Sequence, residues 1–330
     1  MATAAVRTEL EILDVRHFTA RQLRPLLENE ARVWQQRLRW NYSDATELLL
    51  QYLDSRILPG FVALDRGKIC GFTFCVYEGY KAVVGDAFAV DNNAMSAIET
   101  TQELLRQLLQ VLRHSPEIDR IEAQLLLYDS AVIVEPFQQA QFDTHRRLFM
   151  EVGLRARAGI PAIAPLPTEL ELRRWMPADY QPAAELIHAS YEGHIDARIN
   201  DQYCSLAGSL RFLHNIVRFP GCGVFEAKSS WVITDRSSRA LVGVVLCSRV
   251  QLHTAHITQL CIAPRYRGRR LGAHLLRHSM NELARAGCEA ITLTVTEANG
   301  AAVELYLDSG FEISHTFDAY VFDARNTVLG

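Results

Sequence analysis

The chain has 330 residues, 49% of them apolar and 22% charged, with a net charge of −4. This predicts two folded domains and argues against broad nucleic-acid binding. No run of 18 apolar residues predicts a membrane span, no apolar signal core follows Met1, and seven cysteines without CxxC spacing read as buried thiols of a reducing cytoplasm rather than zinc ligands or disulfides.

Two halves show the same order of signals. The first opens with a helical segment over Ala20–Trp40, then strand-like runs at Gly60–Leu64, Ile69–Tyr77 and Val83–Val90. A helix over Ile98–Arg113 and a strand over Ile121–Leu127 complete it. Residues 159–167 hold three prolines, which deny both helix and central strand, so they read as an extended linker. Domains are therefore expected at 1–158 and 168–330. The second half begins with a helix over Tyr180–His188. Strands follow at Val224–Lys228, Ser230–Thr234, Leu241–Arg249 and Ala255–Ala263, then a helix over Gly272–Ala286 and a strand over Ala290–Val295.

The halves align near their ends. Val134-Glu135-Pro136-Phe137 and Gln141-Phe142 fall on Val303-Glu304-Leu305-Tyr306 and Gly310-Phe311, and the same offset carries Ile121–Leu127 onto Ala290–Thr296. A duplicated domain is the economical explanation.

The most telling segment is Leu260-Cys261-Ile262-Ala263-Pro264, followed by Arg265-Tyr266-Arg267-Gly268-Arg269-Arg270-Leu271-Gly272-Ala273. An apolar strand is stopped by proline, and a short loop with four arginines and two glycines leads into a helix whose core face carries Ala273, Leu276, Met280 and Leu283. Loop amides, a helix N-terminus and guanidinium groups together suit a phosphate-bearing ligand. GxGxxG is absent, as is GK[ST], so neither a Rossmann nor a Walker A site is expected.

This arrangement resembles the GCN5-related N-acetyltransferase family, whose acetyl-CoA motif Gln/Arg-x-x-Gly-x-Gly/Ala falls on Arg267-Gly268-Arg269-Arg270-Leu271-Gly272. Arg270 stands where the motif has its first glycine. Asn299, Ala302, Tyr306 and Gly310-Phe311 follow in the order of the family's second signature. The resemblance is specific over Ala255–Phe311 and only architectural in the first half. It implies two tandem α/β domains, each a mixed, mostly antiparallel sheet flanked by helices.

By the same resemblance, acetyl-CoA is the co-substrate. Leu260, Cys261 and Ile262 would hold its pantetheine arm and acetyl carbonyl, and Arg267, Gly268, Arg269, Arg270, Leu271, Gly272 and Ala273 its pyrophosphate. Asn299 would contact the pantetheine, and Tyr306 would serve the departing sulfur as a phenol acid. His256 is the first candidate base, since an imidazole titrates near neutrality; water can also relay the proton. Glu192, His194 and Asp196 form a second polar group, read as a loop rather than a metal site.

The first half lacks these features. Asp91-Asn92-Asn93-Ala94-Met95 replaces the arginine-glycine loop, and Phe137 stands at the position of Tyr306. That copy is expected to be catalytically silent. The sequence thus reads as a cytoplasmic N-acetyltransferase with a small-molecule amine acceptor rather than a protein acceptor. The alternative is an inactive acyl-CoA-binding module.

Overall fold

The computed structural model describes residues 10–154, 165–218 and 223–327. The proline-rich segment proposed as a linker falls mainly outside them. The chain forms two compact units, residues 1–38, 42–146 and 317–330 against residues 39–41 and 147–316.

In the first unit come β1 (Glu11–Asp14), α1 (Ala20–Leu38), α2 (Ser43–Asp54), β2 (Gly60–Asp65), β3 (Lys68–Glu78), β4 (Lys81–Ala89), α3 (Ala97–Arg113), β5 (Arg120–Gln124) and α4 (Val134–Gln139). Strand β6 (Asp143–Gly153) leads into the second unit, which holds β7 (Leu170–Arg174), α5 (Tyr180–Tyr191), α6 (Ile195–Ile199), α7 (Leu206–Arg218) and β8 (Val224–Phe225). Then follow β9 (Trp231–Asp235), β10 (Leu241–Gln251), β11 (Thr254–Ile262), α8 (Leu271–Arg285), β12 (Ala290–Thr296) and α9 (Gly300–Asp308). Strand β13 (Glu312–Asp323) returns the chain to the first unit, where α10 (Ala324–Thr327) ends it.

The two sheets share one plan. In the first unit β1 to β5 lie in sequence order, all antiparallel except the β4/β5 pair. In the second, β7, β9, β10, β11 and β12 repeat that order, again with one parallel pair, β11/β12.

Each sheet is then completed by a strand from the other half of the sequence. Residues 319–323 of β13 pair antiparallel with β5, and residues 147–153 of β6 pair antiparallel with β12. Buried charge fixes the first exchange: Arg120 binds Asp323 at 2.9 Å and Glu122 at 2.6 Å, and Lys81 approaches Glu122 at 3.2 Å. The Phe137 ring also stacks on Tyr320 at 3.8 Å. A division of the chain at residue 158 therefore does not follow these units, because hairpin and strand periodicity report local pairing but not the distant partner of an edge strand.

Apolar faces account for the helices. Leu105, Leu108, Leu109 and Leu112 recur along α3 and pack on the first sheet, with Ile121, Ala123 and Phe137 in the same core, while Leu104 packs on Ala63 and Cys70. Leu271, Leu275, Leu276, Met280 and Leu283 do the same for α8 on the second. Helix α1 stops at Leu38, short of the expected Trp40, because Arg39 turns to φ 54°. The expected strand over Val224–Lys228 shrinks to two residues, since the backbone tightens into a 3-10 turn at Ala227–Ser229.

Candidate active site

The site begins where a ladder ends. Strands β11 and β12 pair only from Thr254↔Ala290 to Ile257↔Leu293, yet β11 continues to Ile262 and β12 to Thr296. On the other side, opposite β10, the register slips between Leu246↔Gln259 and Cys247↔Ile257, leaving Thr258 as the extra residue of a bulge. The two parallel strands diverge there, and the backbone of Gln259–Ile262 loses its partner on the β12 side.

A cavity of about 560 Å³ opens at this divergence, within the size range of small-molecule sites, about 300–1,000 Å³. Leu260, Cys261 and Ile262 line it from β11, and Arg267, Gly268, Arg270, Leu271, Gly272 and Ala273 from the loop and the first turn of α8. Asn299 and Tyr306 line it from α9 and its cap, while Ser190, Tyr191 and His194 line it from the end of α5 and the turn beyond. Eleven of the thirteen residues expected from the sequence therefore meet at one cavity.

The loop geometry suits an anion. Arg270, at the N-cap of α8, has φ 58° and ψ 18°, the left-handed conformation that a glycine adopts without strain. Its side chain does not cap the helix, so the first-turn amides keep their donors for a ligand. Gly268 is also left-handed, at φ 77°. Gly272 sits close under α9: a Cβ there would stand 3.1 Å from Leu305 Cδ2.

The arginines divide their work. Arg267 donates to the Ser190 carbonyl at 2.6 Å and to the Ile262 carbonyl at 3.3 Å, so it ties β11 to α5 at the cavity wall. Arg269 turns away, pairs with Glu169 and lies over the Tyr266 ring. Tyr266 in turn donates to Asp235 at 3.0 Å. Arg270 keeps an exposed side chain on the cavity.

Tyr306 is 7% exposed, packs edge-on to Phe311, and lines the cavity. Burial pushes its phenol well above the ordinary value, so the hydroxyl stays protonated across the physiological range. Asn299 caps α9 by accepting from Ala302 N at 3.4 Å and lines the cavity. The Leu260 amide already donates to Gln259 Oε1 at 2.9 Å, an acceptor shared with the Tyr191 hydroxyl at 2.9 Å. Cys261 is an inert wall: burial pushes its thiol up to about 12.

His256 does not reach the cavity. It lies at the paired end of β11, 6% exposed, bonded through Nδ1 to Thr292 Oγ1 at 2.8 Å, with its ring 4.9 Å from that of Trp40. Burial pushes its imidazole down to about 3, which makes it a poor proton acceptor. The imidazole on the cavity wall is His194. Its Nδ1 accepts from the Asp196 backbone N–H at 3.2 Å and lies 3.4 Å from Asp196 Oδ2, and Asp196 bonds Thr296 and faces Arg147 at 3.6 Å. Alternating polar residues mark His194 and Asp196 in the sequence, but Arg147 carries no local signal, because it arrives on β6.

The chain matches the model of the acetyltransferase (GNAT) family over residues 173–311. No curated protein matches it. Among solved structures it is similar to a GCN5-related N-acetyltransferase from Sphaerobacter thermophilus, at 14% identity and TM-score 0.64 over 98% of this chain and 97% of that one. It is also similar to a tandem GNAT protein from the clavulanic acid biosynthesis pathway, at 14% identity and TM-score 0.59 over 96% and 99%. A GNAT-family acetyltransferase from Colwellia psychrerythraea aligns at 11% identity and TM-score 0.51 over 96% and 100%. These likenesses show the fold over essentially the whole chain. Residues 173–311 thus match the acetyltransferase (GNAT) family model, and the chain as a whole shares its fold with GNAT acetyltransferases, a tandem GNAT protein among them.

Proposed function

We propose that the second unit transfers an acetyl group from acetyl-CoA to the amine of a small molecule. The observation that carries this reading is the uncapped α8 N-terminus beside Tyr306, both on the cavity opened by the divergence of β11 and β12. The amides at 268–273, which the Arg270 side chain leaves uncapped, answer phosphate oxygens, Arg270 adds a fixed positive charge, and β11 beyond its pairing with β12 offers an extended, amide-bearing arm the backbone groups that Gln259, Arg267 and Ser190 do not already hold.

Acetyl-CoA supplies an activated acyl thioester; the protein supplies placement and proton handling. Water relays away the proton that the acceptor must lose to expose its lone pair; His194 Nδ1 accepts from the Asp196 backbone N–H at 3.2 Å, so the neutral ring keeps its own proton on Nε2 and serves as a donor on the cavity wall. The nitrogen–carbon bond forms as the carbon–sulfur bond breaks. Tyr306 gives its proton to the sulfur, and the proton shed by the nitrogen restores the phenol through water. His256 stays outside this path.

Calorimetric titration with acetyl-CoA tests the reading. One-to-one binding is expected, lost in the Arg267→Ala/Gly272→Trp variant. Absence of binding by the intact chain would overturn it.

A further inference from the structure

Behind His194 lies a pair of charges that the acyl-transfer chemistry does not consume. Arg147 stands on β6 opposite Thr296 of β12. Its guanidinium carries five N–H donors and cannot shed its charge. Around it the structure places few acceptors: Thr294 Oγ1 at 3.4 Å and Asp196 Oδ1 at 3.6 Å, the latter too long for a hydrogen bond. Arg147 Nε is buried with no hydrogen-bond partner among the described residues. A guanidinium whose side chain is only 13% exposed and so sparsely answered is short of an anion.

Asp196, its side chain likewise 13% exposed, already bonds Thr296 and faces His194 on its other oxygen. His194 lines the cavity, Asp196 Oδ2 stands 3.4 Å behind its ring, and Arg147 faces Asp196 at 3.6 Å, so the two charges lie directly behind the cavity wall. Each keeps 13% of its side chain exposed.

We infer that Arg147 and Asp196 form the acceptor subsite, and that the acceptor is an amino-acid-type zwitterion whose carboxylate is held by Arg147 and whose ammonium is held by Asp196. The inference rests on the proposed acetyl transfer and names its substrate class. One fixed positive and one fixed negative charge, side by side, are matched by a ligand carrying one of each. A planar monoanion suits the fork of a guanidinium. A dianionic phosphate would be repelled by Asp196, and a plain alkylamine would leave Arg147 unanswered. The ammonium on Asp196 lies next to the cavity wall at His194, where water takes its proton and leaves the neutral amine.

Thiol-release kinetics with acetyl-CoA should compare each L-amino acid with its own carboxamide. The expected result is a carboxylate preference of about tenfold or more in kcat/KM for the accepted side chains, equivalent to one charge-assisted contact. Arg147→Gln should erase that preference while KM for acetyl-CoA holds, and Arg147→Lys should keep part of it. Because the readout is a ratio within one protein, partial loss of folding does not imitate it.

Carboxamides used as well as carboxylates, or Arg147→Gln lowering both series alike, would overturn the inference. So would no turnover of either series by a protein that binds acetyl-CoA. Failure to bind acetyl-CoA defeats the proposed function instead. In that case amino acids must still raise Tm above their carboxamides, and lose that effect in Arg147→Gln, or the subsite falls too.

Discussion

The two units build the same divergence and finish it differently. In the first, β4 and β5 stop pairing at Val84↔Ala123 while β4 runs on to Ala89, as β11 runs on past Ile257 in the second. The first unit answers its exposed backbone with its own side chains. Tyr128 donates to the Ala87 carbonyl at 3.0 Å and shares a hydrogen bond with Thr101. Ser96 and Glu99 close the N-terminus of α3 in a capping box, Asp91 accepts from Ala97 N, and Asn92 accepts from Ala94 N and Met95 N. In the second unit the N-cap residue of α8, Arg270, makes no side-chain cap. A divergent parallel pair is thus only potential for a site; the fate of the freed amides decides whether a ligand can use it.

The largest expected effect follows from that difference. Acetyl-CoA should bind with a stoichiometry of one, and Gly272→Trp alone should abolish it, since even a Cβ there comes within 3.1 Å of Leu305. Asn92→Ala in the first unit should leave affinity unchanged. A stoichiometry of two in calorimetry would mean that the capped unit binds as well, and the contrast would collapse.

Next comes Tyr306→Phe, which gives the second unit the residue that Phe137 supplies in the first. We expect kcat to drop by about 10²-fold, the lower end for loss of a general acid, with acetyl-CoA affinity held. Unchanged kcat would remove Tyr306 from the chemistry.

The units should also respond oppositely to pH. His256 in the second is held down to about 3 against an ordinary 6.5, so the unfolded chain takes its proton first as pH falls below 6.5. The second unit therefore loses stability through that window, about 2 kcal/mol by pH 5 from this group alone. In the first unit, Glu30 and Asp86 are buried together with both carboxyls raised, Glu30 by desolvation and the Asp86 charge, Asp86 by desolvation. Tyr42 Oη, Trp34 Nε1 and Ala87 N face the pair. Its contribution is fully present in acid, below the ordinary carboxyl values, and is lost as pH rises through the raised ones. Hydrogen exchange read separately at Val244 and at Leu108 checks this: His256→Gln should flatten the acid loss at Val244, and Glu30→Gln the loss with rising pH at Leu108. Neither slope changing would show that other groups govern both units.

Much of this is legible in the sequence, and the gaps share a cause. Period-two runs and the α3 and α8 apolar stripes locate strands and helices because those signals are local. The loop at 264–273 marks the cavity because proline, arginine and glycine each leave a local trace. Arg147 leaves none: it becomes a neighbour of Thr296 only through β6, more than a hundred residues away in the chain. His256 misleads because strand alternation does not say which end of β11 is paired and which diverges. Position along a strand, rather than residue type, decides whether an imidazole meets a ligand or a core.

The smallest expected effect isolates the one residue that departs from the family motif. Arg270 holds φ 58° with a full side chain, at a strain of about 1–2 kcal/mol for an L-residue. Arg270→Gly relieves that strain but frees the unfolded chain, which returns roughly 0.5–1 kcal/mol. The net change in Tm should therefore be a small rise. Binding supplies the opposing sign: losing an exposed guanidinium on the cavity should weaken acetyl-CoA by a few-fold, and the deficit should shrink as salt rises. If affinity instead improves in Arg270→Gly, the amides alone hold the phosphates, and the arginine at this position is strain that the second unit carries without return.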